Sequence, residues 1–367
     1  MILLTYGIYL FHLGYIYTSN SDWYNFMFGN DTLYYKVQYP NISSQIGHLV
    51  RLFLAFMHAW NMPMFFYLSG QNAYAALFRR SETQFRNERT HRLIVPTLFM
   101  SVVAQFPLTL GYFAPHDDPL EESFLEYVRG FYRLLNVHQA WFLMYLFIYA
   151  QMFTHCFRAF HPVHNTPEST TLSYCGSTSC CCTAKPFNCL TKVFCCLNCL
   201  FKPAVTPEKF VSAVTWFLGG PIRLALFPGI LLGIVQAANN VLPIETIVSN
   251  DAIVGTVRRY PFMPYMVIYL LGYCTAAADQ EIRQDNQVWS WMCFIFGTIL
   301  CIAYGPIELV LSGISRNIAK GFIRGMGQWL FLVGSLSLAK KVFPRPRLWH
   351  KKLRKMAMPF YMIHQVF

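Results

Sequence analysis

Apolar residues come in blocks along this chain, near 2–18, 49–78, 93–113, 141–160, 211–237, 262–278, 287–304, 321–339 and, in a shorter stretch, 356–367. Polar connectors separate them. Most blocks approach or exceed the roughly 20 residues that an α-helix needs to cross a hydrocarbon core of about 30 Å. The pattern therefore predicts an all-α fold, a polytopic transmembrane bundle of about nine to ten helices. Only the block at 287–304 is uniformly apolar; the others carry isolated Arg, His, Asn or Gln. Such groups are costly in hydrocarbon unless they face the bundle interior or a wet cavity, so a buried polar site is implied.

Composition agrees. Of 367 residues, 55% are hydrophobic and only 13% charged, which argues against a set of soluble domains. The first apolar run lacks a basic lead-in and a small-residue cleavage site, so it reads as a retained helix and not a cleaved signal. Met1 starts almost inside that helix, and 356–367 is too short to span alone, so both termini are expected to be truncated. No internal repeat stands out. The chain reads as one transmembrane domain, 1–367, interrupted by a Cys-rich insertion at 161–209.

Charge orients the blocks. With residue 1 on the cytosolic side, the connectors on that side (79–92, 158–209, 279–286 and 340–355) hold 19 of the 29 Lys and Arg but only 7 of the 17 Asp and Glu. The positive-inside rule predicts this imbalance. The net charge of +12 is then a topology signal, and no nucleic-acid partner is expected, because no aromatic-interleaved basic stripe accompanies it. The first outward connector carries two glycosylation acceptors, Asn30-Asp31-Thr32 and Asn41-Ile42-Ser43, both on the lumenal side of the assigned topology. An integral protein of a eukaryotic secretory-pathway or plasma membrane is the expectation.

Eight of the twelve cysteines lie between 175 and 199. Their side of the membrane keeps thiols reduced, which disfavours disulfides. Cys196-x-x-Cys199 matches one half of a zinc site, but no second clean pair completes it, and no metal is expected. Cys180, Cys181, Cys182, Cys195, Cys196 and Cys199 lie among Phe, Leu and Lys residues suited to a membrane surface, where palmitoylation would occur. An adaptable insertion of no chemical consequence accounts for the segment equally well.

No phosphate-binding glycine loop, His-Glu-x-x-His helix or Gly-x-Ser-x-Gly elbow is present. What remains is histidine and arginine at membrane depth. His12 lies near the middle of the first block among Tyr6, Tyr9, Phe11 and Tyr15. An imidazole with a pKa of about 6.5 suits a general base, and it serves equally as a helix-to-helix hydrogen bond. The second block contains His58, Asn61 and Pro63, where the proline frees a backbone carbonyl that Asn61 could satisfy. Arg79, Arg80, Arg86, Arg89, His91 and Arg92 follow; they read as positive-inside charge or as guanidinium forks that grip phosphates. His138 precedes Trp141 at the start of the fourth block, where the tryptophan could equally be an interfacial anchor.

The run Met62-Pro63-Met64-Phe65-Phe66 through Ser69-Gly70 to Arg89, Arg92, Leu93 and Pro96 resembles the signature of the acyltransferase family 3 membrane proteins. Within that family it is most similar to the glucan-biosynthesis acyltransferases. His12, Trp141-Phe142-Leu143 after His138, Leu270-Leu271-Gly272-Tyr273 and the closing Pro359-Phe360-Tyr361-Met362-Ile363-His364-Gln365 agree with it in order and spacing. The resemblance implies a membrane O-acyltransferase that uses cytosolic acyl-CoA as co-substrate, with no tightly bound cofactor. The acceptor would be a hydroxyl of a carbohydrate or lipid-linked molecule at the lumenal or extracellular face. His12 would take the hydroxyl proton, and Arg89 and Arg92 would hold the donor's phosphates; His58, Asn61, His138, Trp141 and His364 would support them. The family's basic residue eleven positions before the histidine is replaced here by Met1. The rival expectation is a transporter or a lipid- or glycan-binding membrane protein without turnover.

Overall fold

The computed structural model describes residues 44–99, 141–160, 207–241, 262–277, 287–303 and 311–342. Nearly all of them are helical, and no strand occurs among them. The helices are α1 (Ser44–Arg79), α2 (Glu82–Arg89), α3 (Val95–Phe99), α4 (Trp141–Ala159), α5 (Pro207–Leu218), α6 (Pro221–Val241), α7 (Phe262–Ala277), α8 (Gln287–Ala303) and α9 (Gly313–Val342). A single wide π turn, Thr90–Ile94, joins α2 to α3.

The expected blocks at 141–160, 262–278 and 287–304 correspond to α4, α7 and α8, and those at 49–78 and 321–339 lie inside the longer α1 and α9. The block at 93–113 is described only to residue 99, and those at 2–18 and 356–367 lie outside the described residues. One expectation is corrected: 211–237 is not one helix. Gly220 at φ 87° takes a left-handed turn that side chains resist, and Pro221 restarts the chain as α6, where its missing N–H is no loss.

Packing directions follow from pairs along each contact. Phe66 stacks on Tyr265, and Tyr74 meets Tyr273 edge-on two turns later, so α1 and α7 run parallel. Between those pairs the backbones nearly touch: a Cβ on Gly70 would meet the Tyr269 carbonyl oxygen, and one on Gly272 would meet that of Tyr67. α4 also runs parallel to α7, with Tyr145 on Phe262 and Phe157 stacked on Tyr273 at 3.5 Å. In contrast, α6 and α9 are antiparallel. Gly229 faces Met326 and Trp329, Gly233 faces Phe322 and Gly325, and Ala237 faces Gly321. α8 lies antiparallel on the far side of α9, with Gly297 on Phe331 and Gly334 on Phe294. Small residues four apart on both α6 and α9 let two backbones approach closely.

Cross-helix hydrogen bonds tie the bundle. Trp329 donates to the Leu224 carbonyl (2.7 Å), Tyr149 to the Phe262 carbonyl (2.6 Å) and Tyr273 to the Phe157 carbonyl (2.5 Å). Tyr67 pairs with Thr275 at 2.9 Å and receives a hydrogen bond from Gln71 Nε2 at 3.1 Å.

The exterior inverts the soluble pattern. On α8 the outward face carries Val288, Trp291, Ile295, Phe296, Ile299 and Ile302, all well exposed, while Ser290, Cys293, Gly297 and Cys301 face inward. α6 likewise presents Ile222, Leu226, Ile230, Leu231 and Ile234 outward. A contiguous apolar face of this kind is rare on a water-facing monomer and marks a surface that contacts protein or lipid. Among the described residues, α6 is the one helix both long and apolar enough to cross a membrane by itself, with 21 residues and a mean hydropathy of 1.6. Trp141–Thr154, α7 and α8 are shorter apolar helices.

Candidate functional site: an arginine cluster under an aromatic wall

α2 begins at Ser81, whose hydroxyl accepts from the Gln84 amide at 3.3 Å, with Glu82 in the first turn where the helix dipole favours an acid. Four-residue spacing then pairs charges on its surface. Arg86 bonds Glu82 at 2.7 Å, and Arg92 bonds Glu88 at 2.7 Å. Glu88 also takes Arg80 at 2.5 Å, and Glu82 reaches across to Arg158 at the end of α4 at 4.0 Å. Two carboxylates thus engage Arg80, Arg86, Arg92 and Arg158. These pairs are partly solvated and hold geometry more than they stabilise the fold.

Arg89 differs from its neighbours. It is half-buried, its guanidinium lies 5.0 Å over the Phe85 ring, and among the described residues no carboxylate comes within ion-pair distance. Burial pushes the Arg89 guanidinium below the usual arginine range, with the Tyr269 phenol and Glu88 acting against that shift and Arg92 and Arg80 reinforcing it. A planar cation held on a ring with its donors unspent is suited to bidentate contact with a phosphate. Arg92 stands otherwise. Its side chain is 71% exposed and bound to Glu88, and the π turn between it and Arg89 rotates the two apart. The two candidate arginines thus stand in different surroundings, Arg89 on the Phe85 ring and Arg92 in an ion pair with Glu88. A shallow, open depression bordered by Arg80, Ser81, Gln84, Asn87, Glu88 and His91 covers the polar face of the same helix.

Above Arg89 stands a wall of rings. Tyr269, within electrostatic reach of the guanidinium, packs on Phe157 at 5.9 Å and Tyr149 at 5.6 Å. The wall continues through Phe262 and Tyr145 to Trp141, which lies 6.0 Å from Phe66 and 5.4 Å from Tyr265. Trp141 is only 3% exposed, so it is an internal packing residue and not an interfacial anchor. Asn61 is also 3% exposed, and its Oδ1 has no hydrogen-bond partner. The expected bond from Asn61 to a carbonyl freed by Pro63 does not occur among the described residues, and α1 runs on through the proline.

The structure therefore gathers Met62–Gly70, Trp141–Leu143, Leu270–Tyr273 and Arg89 around one aromatic interior. His58 is on α1, but its side chain lies outside the described residues. His12, His138, His364, the acceptors Asn30 and Asn41, and Cys180, Cys181, Cys182, Cys195, Cys196 and Cys199 also lie outside them. Sequence reasoning missed Phe85, Glu82, Glu88 and Tyr269. The first three were readable from Phe85/Arg89, Glu82/Arg86 and Glu88/Arg92 at helical spacing of four. Tyr269 comes from a distant helix, and no local signal marks it.

The described part of the chain defines an all-α protein with an apolar exterior and a basic cluster beside one end of an aromatic core. No family model matches the chain, and no curated protein or solved structure shows significant similarity to it.

Proposed function

We propose that this chain is a multi-pass membrane O-acyltransferase that moves an acyl group from cytosolic acyl-CoA to a hydroxyl of a carbohydrate or lipid-linked acceptor at the opposite face. The observation that carries the reading is convergence. Segments 62–70, 141–143 and 270–273, scattered over the chain and resembling one acyltransferase signature, pack on one another, with Arg89 of the same signature close to Tyr269. The membrane setting is supported by the inside-out faces of α6 and α8 and by packing directions. α1, α4 and α7 run one way, and α6 and α8 each oppose α9, as alternate crossings of a bilayer require.

In this scheme Arg89 holds a phosphate of the donor. The acceptor hydroxyl attacks the thioester carbonyl, His12 takes its proton, the carbon–sulfur bond breaks, and the CoA thiolate leaves to be protonated. A secretory-pathway or plasma membrane is the proposed location, resting on Asn30 and Asn41 as lumenal acceptors.

The test is CoA release from acetyl-, succinyl- and longer acyl-CoA by the protein in lipid, beside His12→Ala and Arg89→Gln. Release that a glycan stimulates and that His12→Ala abolishes is the expected result. Folded protein that releases no CoA from any donor is a carrier or binding protein, and the enzyme reading then fails.

A further inference from the structure

α5 has 12 residues and rises about 18 Å, too little to cross a hydrocarbon core. Its inward face, Phe210, Val214, Phe217 and Leu218, packs on the core at helical spacing. Both of its ends are held at one end of the bundle. Phe210 stacks at 4.1 Å on Phe160, just past the last residue of α4, and Phe217 packs at 5.6 Å on Phe227 in the second turn of α6. The helix therefore lies across this end of the bundle and does not enter it.

The opposite face of α5 ends in Trp216, which is 62% exposed. Gly220 then turns the chain through its left-handed conformation, and the elbow brings Arg223, in the first turn of α6, back onto that tryptophan. The guanidinium stands 5.3 Å over the Trp216 ring, and its Nη1 donates to the Trp216 carbonyl at 3.1 Å. This bond satisfies an orphan carbonyl at the end of α5 and uses one of the five N–H donors an arginine carries. Among the described residues no carboxylate pairs with Arg223, and no acceptor takes the Trp216 indole N–H. Capping alone accounts for the one hydrogen bond. It does not account for an exposed indole beside an exposed, unpaired cation.

The level of the pair follows from α6. Its 21 residues rise about 30 Å, the thickness of a hydrocarbon core, so Pro221 marks one boundary. Trp289 of α8 donates to the Pro221 carbonyl at 3.2 Å, which sets the start of α8 at the same level, and Trp291 there is exposed as well. Trp216 and Trp291 thus stand where the apolar outer faces of α6 and α8 begin, the place of an interfacial aromatic belt. The charge pattern assigns this end to the cytosol, and the cytosolic leaflet is the one that carries anionic lipid.

We propose that the α5–α6 elbow binds the phosphate of an anionic phospholipid in the cytosolic leaflet. Arg223 holds the phosphate oxygens with its remaining donors, and the Trp216 indole N–H donates beside it. Stacking on Trp216 already fixes the guanidinium, so little side-chain freedom is lost on binding. The inference rests on the membrane part of the reading above and is independent of acyl transfer.

The experiment is thermal melting of the full chain in phosphatidylcholine nanodiscs with increasing phosphatidylglycerol, whose phosphate charge no choline offsets. The parent is expected to melt higher as phosphatidylglycerol rises, and Arg223→Gln to need about tenfold more of it for half of the gain. Lys341→Gln, an exposed cation at the same end on α9, should shift that point by no more than the roughly fivefold that diffuse attraction of one surface charge gives. Loss of the α5 cap lowers melting in pure phosphatidylcholine too, so the readout is the response to phosphatidylglycerol and not the starting value. If Arg223→Gln does not fold, Trp216→Phe, which removes the indole N–H and keeps a ring for Phe227, carries the test with a shift of about threefold. No stabilisation of the parent, the same response in parent and Arg223→Gln, or equal shifts in Arg223→Gln and Lys341→Gln overturns the proposal. Equal stabilisation by inorganic phosphate in pure phosphatidylcholine discs also overturns it, because the ligand is then a soluble anion. The membrane reading fails by a different sign, a chain that stays folded in buffer without detergent or lipid.

Discussion

Replacing Gly70 with alanine puts a methyl group against the Tyr269 carbonyl oxygen and 2.9 Å from the Tyr273 amide nitrogen. Both obstacles are backbone in the body of α7, so relief requires the two helices to part. Overpacking costs about 1–3 kcal/mol where side chains can yield, and an obstacle of main chain belongs at the upper end, about 3 kcal/mol. Parting also loosens Phe66 on Tyr265 at 4.7 Å and Tyr74 on Tyr273 at 5.4 Å. Partial loss of these aromatic pairs adds about 1 kcal/mol. Alanine's better helix propensity returns about 1 kcal/mol, which leaves a net cost of about 3. Gly229 is the matched control. Its added methyl meets Met326 Sδ at 2.5 Å, the far end of a flexible side chain, so overpacking of about 1 kcal/mol is offset by the same propensity gain. At about 2 °C per kcal/mol for a chain of this size, Gly70→Ala should melt about 6 °C below the parent in one detergent, and Gly229→Ala within about 2 °C of it. Equal melting of the two variants would refute the close α1–α7 crossing and with it the convergence of motifs around it.

Arg89→Gln should raise the KM or Kd for acyl-CoA about tenfold to a hundredfold, the value of one charge-assisted contact, whereas exposed Arg92→Gln should change it less than about threefold; isothermal titration with CoA checks both. Arg89→Lys should make donor binding pH-dependent. A guanidinium stays charged throughout the working range even when burial lowers its pKa, but a lysine in the same place has its pKa lowered from a smaller starting value and loses charge, and therefore affinity, as pH rises toward about 9. A flat profile for Arg89→Lys between about pH 6 and 9 would mean that the site is wetter than the structure shows. Tyr67→Phe removes the partner of Gln71 but leaves Thr275 donating to the Gly272 carbonyl at 2.9 Å, so it should cost about 1–2 kcal/mol in denaturant unfolding while sparing CoA binding.

Sequence reading succeeded where one physical requirement dominates. α4, α7 and α8 match their apolar blocks closely because length and hydropathy alone delimit a helix bounded by polar connectors. It failed at 211–237 because Trp216, Phe217, Leu218 and Ile222 continue the apolar run across Gly219-Gly220-Pro221, and hydropathy does not register a backbone break; the Gly-Gly-Pro punctuation did. The site divides in the same way. An arginine cluster is visible in any reading of 79–92, but Arg89 and Arg92 differ only through what the fold supplies: the π turn between them, Phe85 beneath one, Glu88 holding the other and Tyr269 arriving from a helix far along the chain. The α9 cations show the limit most clearly. Arg316 and Lys320 precede the apolar block 321–339 and Arg324 lies just inside it, and composition is silent about which side of the helix each is turned to. Close backbone approach at Gly321 and Gly325 fixes that rotation, because any other face of α9 would set a side chain against α6. The same glycines that look like packing filler therefore determine where the charges point.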